Sequence, residues 1–140
     1  MPGVAVDSSV WVAAADPADR FCAASRAFFT AVVRHRSSIH IPAFAHVEVA
    51  CAIARRTRDG SGARRLAQAM LAVGPVEEVA TDRALLARAL LAGTTAFLRG
   101  ADALFVAATQ ATGATLVSWN DELVQRGGAV TPSDWMAANP

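Results

Sequence analysis

Four acidic residues stand where an α/β chain could do chemistry. Asp7 follows the apolar run Val4-Ala5-Val6, and Glu48 sits inside a helical pattern whose one-turn neighbours Phe44, Ala45, Cys51 and Ala52 are apolar. Asp102 opens a helical stretch, and Asp121 comes shortly after Leu116-Val117. A lone carboxylate at the position of Glu48 costs several kcal/mol or takes up a proton, so it calls for a cation or an Arg. Four carboxylates in one pocket repel one another, and a divalent cation relieves the repulsion. Oxygen ligands without His or Cys indicate Mg²⁺ or Mn²⁺ rather than zinc. Such an ion activates water and stabilises charge on a phosphodiester, alone or as a pair about 3.5–4 Å apart. His35, His40 and His46 form no metal-ligand pattern.

Each acid also has a plain structural role open to it. Asp7 or Ser8 can cap the helix that begins at Val10. Glu48 can reach solvent if its helix is rolled. Asp102 in a first helical turn favours the helix dipole by about 0.3–1 kcal/mol, and Asp121 can serve as a turn or cap residue. Joint placement, rather than any single spacing, points to a site.

The elements that must position these acids alternate between strand and helix. The pattern predicts a strand over 4–6, helices from Val10 and over 20–35, and a strand over 37–42. A helix over 44–58 follows, with Phe44, Val47, Cys51 and Ala54 as its core row. Asp59-Gly60-Ser61-Gly62 reads as a flexible turn. Further helices are expected over 63–73 and from a Thr81 or Asp82 cap to Leu91, with a strand over 76–80 between them. A small-residue loop over 92–95 leads to the helix that carries Asp102. A strand around 116–117, a helix over 122–126, an edge strand over 129–131 and a last turn capped by Ser133 complete the chain. This order implies an α/β fold of three layers, α/β/α, with a small parallel sheet flanked by helices. In such sheets ligands bind beyond the carboxyl ends of the strands.

The 140 residues fit a single domain spanning 1–140. No apolar run approaches the ~18 residues of a membrane span. The N-terminus lacks a basic n-region, and the two Cys lack a C-x-x-C spacing. A cytoplasmic protein with free thiols is the expectation. All thirteen basic residues are Arg; setting the four acids aside leaves eight acids against them, an excess of five positive charges. A positive exterior around an acidic pocket suits a nucleic-acid substrate. Arg55, Arg56, Arg58, Arg64 and Arg65 flank the 59–62 turn and form the candidate RNA or partner contact, with a solvated helix end as the plain alternative. The turn resembles a fragment of G-x-G-x-x-G, but it follows a helix and has Arg65 in the third Gly position, which excludes a dinucleotide site.

Taken together the motifs resemble the PIN-domain family, and within it the VapC toxins of bacterial toxin–antitoxin pairs. The resemblance rests on Val6-Asp7-Ser8-Ser9, on Pro42 followed by Glu48, on Ala101-Asp102-Ala103-Leu104-Phe105-Val106-Ala107, and on Gly-Ala-Thr-Leu-Val-Ser-Trp-Asn-Asp over 113–121. It implies a Mg²⁺-dependent endoribonuclease in which Asp7 and Asp102 hold the ion and Glu48 orients or deprotonates the attacking water. Ser9 and Ser118 match small hydroxyl residues lining the pocket. The usual place of a fourth acid is held by Asn120, with Asp121 next along, so either completes the shell. The resemblance also implies a cognate antitoxin that blocks the site, RNA as substrate, and a homodimer. The rival is a PIN-like module that binds RNA or a partner without cutting. A phosphoacceptor domain fits poorly, because it needs a Lys beside the phosphoryl group and the chain contains none.

Overall fold

A computed structural model describes residues 3–140. Four parallel strands make one sheet in the order β3-β2-β1-β4, with β1 at Val4–Val6, β2 at Ile39–Pro42, β3 at Val76–Val79 and β4 at Thr115–Val117. Each connection carries two helices: α1 (Ser8–Ala15) and α2 (Cys22–Arg34), then α3 (Ala45–Thr57) and α4 (Gly60–Leu71), then α5 (Arg83–Ala96) and α6 (Gly100–Thr112). Short helices α7 (Asp121–Arg126) and α8 (Pro132–Ala138) finish the chain. Helices flank the sheet, as the alternating pattern requires.

Burial explains the local choices. Every residue of β1 is buried, because β1 lies between β2 and β4 and is covered on both faces. α1 is apolar almost all round and is accordingly a core helix, with Val10 to Ala14 buried. At the opposite extreme β3 is a sheet edge, and its exposed Glu77 and Glu78 keep that edge from pairing with another chain. The chain steps outward from β1 through β2 to β3 and then returns to the far side of β1 as β4. The reversal between β1 and β4 is the switch point at which open parallel sheets leave a crevice.

Several expected boundaries move. The 59–62 turn is the start of α4, since Asp59 caps it by accepting from Gly62 N at 2.9 Å. The 92–95 loop is helical: α5 runs on to Ala96 and ends where Phe97 turns left-handed at φ 58°. Gly93 is kept in that helix by packing, because a Cβ there would lie 2.8 Å from Ala103 Cβ on α6. The expected edge strand over 129–131 reduces to one parallel bridge, Val117 to Val130. The last helix is capped by Thr131, not Ser133. In α3 the buried row is Ala45, Val49 and Ile53, while Val47 is 67% exposed and Cys51 is exposed. The helix is rolled from the expected setting, and Glu48 flanks the buried row, half-buried.

No single helix is long and apolar enough to cross a membrane. Gly93→Ala should lower stability by about 1–3 kcal/mol through overpacking, although Ala is the better helix former. Ala103→Gly should cost less in that background than alone, a coupling that thermal melts of the two single variants and the double variant measure.

Candidate functional site

The site is assembled at the switch point from the ends of four elements. Asp7 follows β1 and caps α1, so the cap reading and the site reading both apply. It is 4% exposed, and its Oδ2 accepts from Ser118 Oγ at 2.8 Å and from Ser9 N at 3.3 Å. Ser118 directly follows β4, so this contact joins the ends of the two strands that flank the reversal. The same serine oxygen accepts from Asn120 N at 2.9 Å, and Ser9 Oγ accepts from Trp119 N at 3.1 Å. Ser9 and Ser118 are thus the scaffold of the pocket.

Glu48 lies in the first turn of α3 and Asp102 in the first turn of α6, both half-buried. Burial raises the Glu48 pKa above the ordinary value, and the charges of Asp7 and Asp102 raise it further. Burial likewise raises that of Asp102, helped by Asp7 and Glu122 and opposed by Arg99 and Asn120. Three acids from distant parts of the chain therefore sense one another's charge. The helix N-terminus and Arg99 both favour an ionised Asp102, yet burial and its acidic neighbours prevail.

Asn120 and Asp121 take different parts. Asn120 caps α7 by accepting from Glu122 N at 2.9 Å, while its amide Nδ2 donates to Asp102 Oδ2 at 3.4 Å. Asp121 is the exposed first residue of α7, and its charge is not among those acting on Glu48 or Asp102. The helix start fixes this outcome, because a cap side chain turns back toward the first turn whereas the next residue points outward. The fourth acidic neighbour is Glu122, which sequence reading missed; its position one turn before Arg126, with an ion pair of 2.7 Å, marks a helix face and gives no sign of the site.

Ser8 was also missed. Its buried hydroxyl has no hydrogen-bond partner at ordinary length, and it lies near enough to Glu48 to favour the charged carboxylate. A buried hydroxyl with no hydrogen-bond partner, beside a carboxylate whose acidic neighbours repel it, suits a hard divalent cation with its water shell. Among the described residues no three acidic, His or Cys side chains close round a single point. Mg²⁺ here would take one or two carboxylates directly and keep several waters, as that ion commonly does.

The arginines divide as well. Arg56 is committed to Asp16 and Asp19, at 2.9 Å each, and ties α3 to the α1–α2 connection. Arg65 donates to Ser61 Oγ at 2.7 Å. Arg55, Arg58 and Arg64 are exposed and make no ion pair among the described residues. Of the five proposed contacts, Arg56 is structural rather than available.

A raised carboxylate pKa means that folding takes up protons, so this contribution to stability is present at low pH. It is lost as pH rises from the ordinary carboxylate range through the raised value. In EDTA, Glu48→Gln or Asp102→Asn should therefore raise the melting temperature at pH 7. The gain over the parent chain should vanish below about pH 4. Melting curves across that range check it, and a loss of stability at pH 7 would make these acids structural.

Comparison with known proteins agrees with this fold. No curated protein matches the chain significantly. Among solved structures it is similar to VapC20 of Mycobacterium tuberculosis, a sarcin–ricin loop cleaving toxin, at 17% identity and TM-score 0.76 over 91% of this chain and 97% of that one. It is similar to PAE2754 of Pyrobaculum aerophilum at 20% identity and TM-score 0.71, over 98% and 88%. A toxin–antitoxin complex from Klebsiella pneumoniae contains a further neighbour at 14% identity and TM-score 0.69, over 93% and 98%. These likenesses show a shared fold. The PIN domain profile matches residues 4–128, most of the chain, and the chain belongs to the PIN-domain family.

Proposed function

We propose that the chain is a VapC-type toxin: an endoribonuclease that hydrolyses RNA phosphodiesters with Mg²⁺ or Mn²⁺ and is held in check by a cognate antitoxin. The observation that supports this reading is that Asp7, Glu48 and Asp102 lie close enough, at the helix starts beside the β1–β4 switch point, for the charge of Asp7 to act on both of the others and that of Asp102 on Glu48. No basic side chain is hydrogen-bonded to any of the three among the described residues. Acids left unpaired and pushed toward protonation are an arrangement that a cation completes. Family membership and the VapC fold neighbours support the same reading.

When bound, the ion supplies Lewis-acid stabilisation of the phosphodiester and a more acidic water. Asp7 and Asp102 would hold it. The donors to Asp7, Ser118 Oγ and Ser9 N, hold that carboxylate in place, and Asn120 does the same for Asp102. Glu48 is the general base: its raised pKa suits it to take the proton of the attacking water. The excess of Arg outside the site draws the polyanion in. The five positive charges of that exterior and the acidic centre would also meet an antitoxin segment that masks the site. A homodimer remains part of the proposal on family grounds alone.

Purified chain incubated with RNA should cut it with Mg²⁺ or Mn²⁺ and not in EDTA. Asp7→Asn should lower the rate by more than about 100-fold. Ser118→Ala removes the donor to Asp7 and the acceptor of Asn120 N while leaving the acids in place, and should cost about 10–100-fold in metal affinity or rate. RNA that is bound but never cut, with metal present and the fold intact, would favour the non-catalytic binding module.

A further inference from the structure

A stack of planar groups beside the acids has no part in the chemistry above. Trp119 lies between Ser118, which donates to Asp7, and Asn120, which donates to Asp102. Its backbone N–H is held by Ser9 Oγ at 3.1 Å, and its indole Nε1–H donates to Ser25 Oγ on α2 at 2.8 Å. α1 therefore holds the Trp119 backbone and α2 its indole, one residue from each of the two groups that hydrogen-bond the acids. The Phe21 ring lies parallel to it, with centroids 4.1 Å apart and planes 7° apart. The Arg20 guanidinium carbon lies 4.6 Å from the Phe21 centroid.

The setting of these groups differs from that of core aromatics. Trp11 and Trp135 are 3% and 6% exposed, whereas Trp119 and Phe21 are both partly exposed and Arg20 is exposed. Phe21 packs on Trp119 and stands outside the core cluster that contains Phe28, while Trp119, like Phe29, packs against that cluster with part of its surface still exposed. The carboxylates nearest in sequence, Asp16 and Asp19, are each engaged by Arg56 at 2.9 Å, and Arg20 has no ion pair of its own among the described residues. Aromatic faces and guanidinium planes are the groups on which unpaired bases stack. A cation over the outer ring adds affinity for both the base and its phosphate.

We propose that Arg20, Phe21 and Trp119 form a stacking platform for an unpaired nucleobase next to the phosphodiester that is cut. The inference rests on the RNA reading above and narrows it. A base paired in a duplex has no free face to offer, so the substrate class is single-stranded or loop RNA. These three residues then set which nucleotide sits beside the acids, while Asp7, Glu48 and Asp102 act on the bond.

Binding is tested on the whole chain in EDTA, so that cleavage does not intervene. The probes are a short single-stranded RNA, the same strand carrying abasic sites, and the same strand in a duplex. The single strand should quench tryptophan fluorescence, and Trp119→Phe should abolish the response. The abasic and duplex probes should bind roughly 5- to 100-fold more weakly, the range of one stacked base. Arg20→Ala and Phe21→Leu should cause a similar loss for the intact strand and little for the abasic one. Arg34→Ala removes the same charge at the far end of α2, about 18 Å along the helix, and should affect both strands alike. Equal binding of intact and abasic RNA, or equal effects of Arg20→Ala and Arg34→Ala, would overturn the platform. So would an acidic peptide that quenches Trp119 as strongly as the RNA, which would assign the stack to a protein partner. Cleavage with Mg²⁺ is scored separately: base-dependent binding without cleavage keeps the platform and removes the nuclease, and cleavage without base dependence does the reverse.

Discussion

One hydrogen bond closes the site. Ser118 Oγ donates to Asp7 Oδ2 at 2.8 Å and links residues 111 apart in sequence, at the two strand ends where the sheet reverses direction. Asp7 is buried with its carboxylate satisfied because such donors reach it. The Ser118 oxygen in turn receives Asn120 N, and Ser9 receives Trp119 N. The β4–α7 connection is therefore shaped around the carboxylate of β1. Without β4 beside β1, Asp7 would lose its partner and the connection would lose its anchor.

The parallel topology explains why acids can gather at this edge at all. Strand carboxyl ends point one way, and α1, α3, α6 and α7 all present their first turns to the cluster. Helix N-termini carry partial positive charge and orphan N–H groups, which offset part of the repulsion. The offset is incomplete, since the pKa values of Glu48 and Asp102 still lie above the ordinary range. The acidic cluster is thus held together by the fold against its own electrostatics. Such strain is tolerated where a ligand of opposite charge relieves it.

Much of this was legible in the sequence, for a physical reason. Strand–helix alternation and buried runs such as Val4-Ala5-Val6 fix a parallel sheet, and a parallel sheet fixes the edge at which Asp7 lies. What was not legible depends on tertiary packing. The apolar residues of α3 fit two helical rows, and the row with Val47 and Cys51 proved to face solvent because α4 and α1 cover the other. Local composition made 92–95 a loop, although Thr94 bonds back to Leu90 O at 2.7 Å and Gly93 lets α6 approach. Glu122 and Ser8 looked like ordinary helix-start residues, and only the three-dimensional convergence of helix starts makes them neighbours of the site.

The exchange of an acid for Asn120 follows from the same electrostatics. The residue before α7 must accept from Glu122 N, which Asn and Asp do equally well. It also faces Asp102, where only the amide can donate; the two partners together fix which way the amide points. An Asp at this position would add a like charge to a cluster whose Asp102 already feels Asp7 and Glu122. Asn120 thereby stabilises the ion-free fold and gives up one anionic ligand. In the nuclease reading, Asn120 holds Asp102 through its amide rather than serving as a charged ligand.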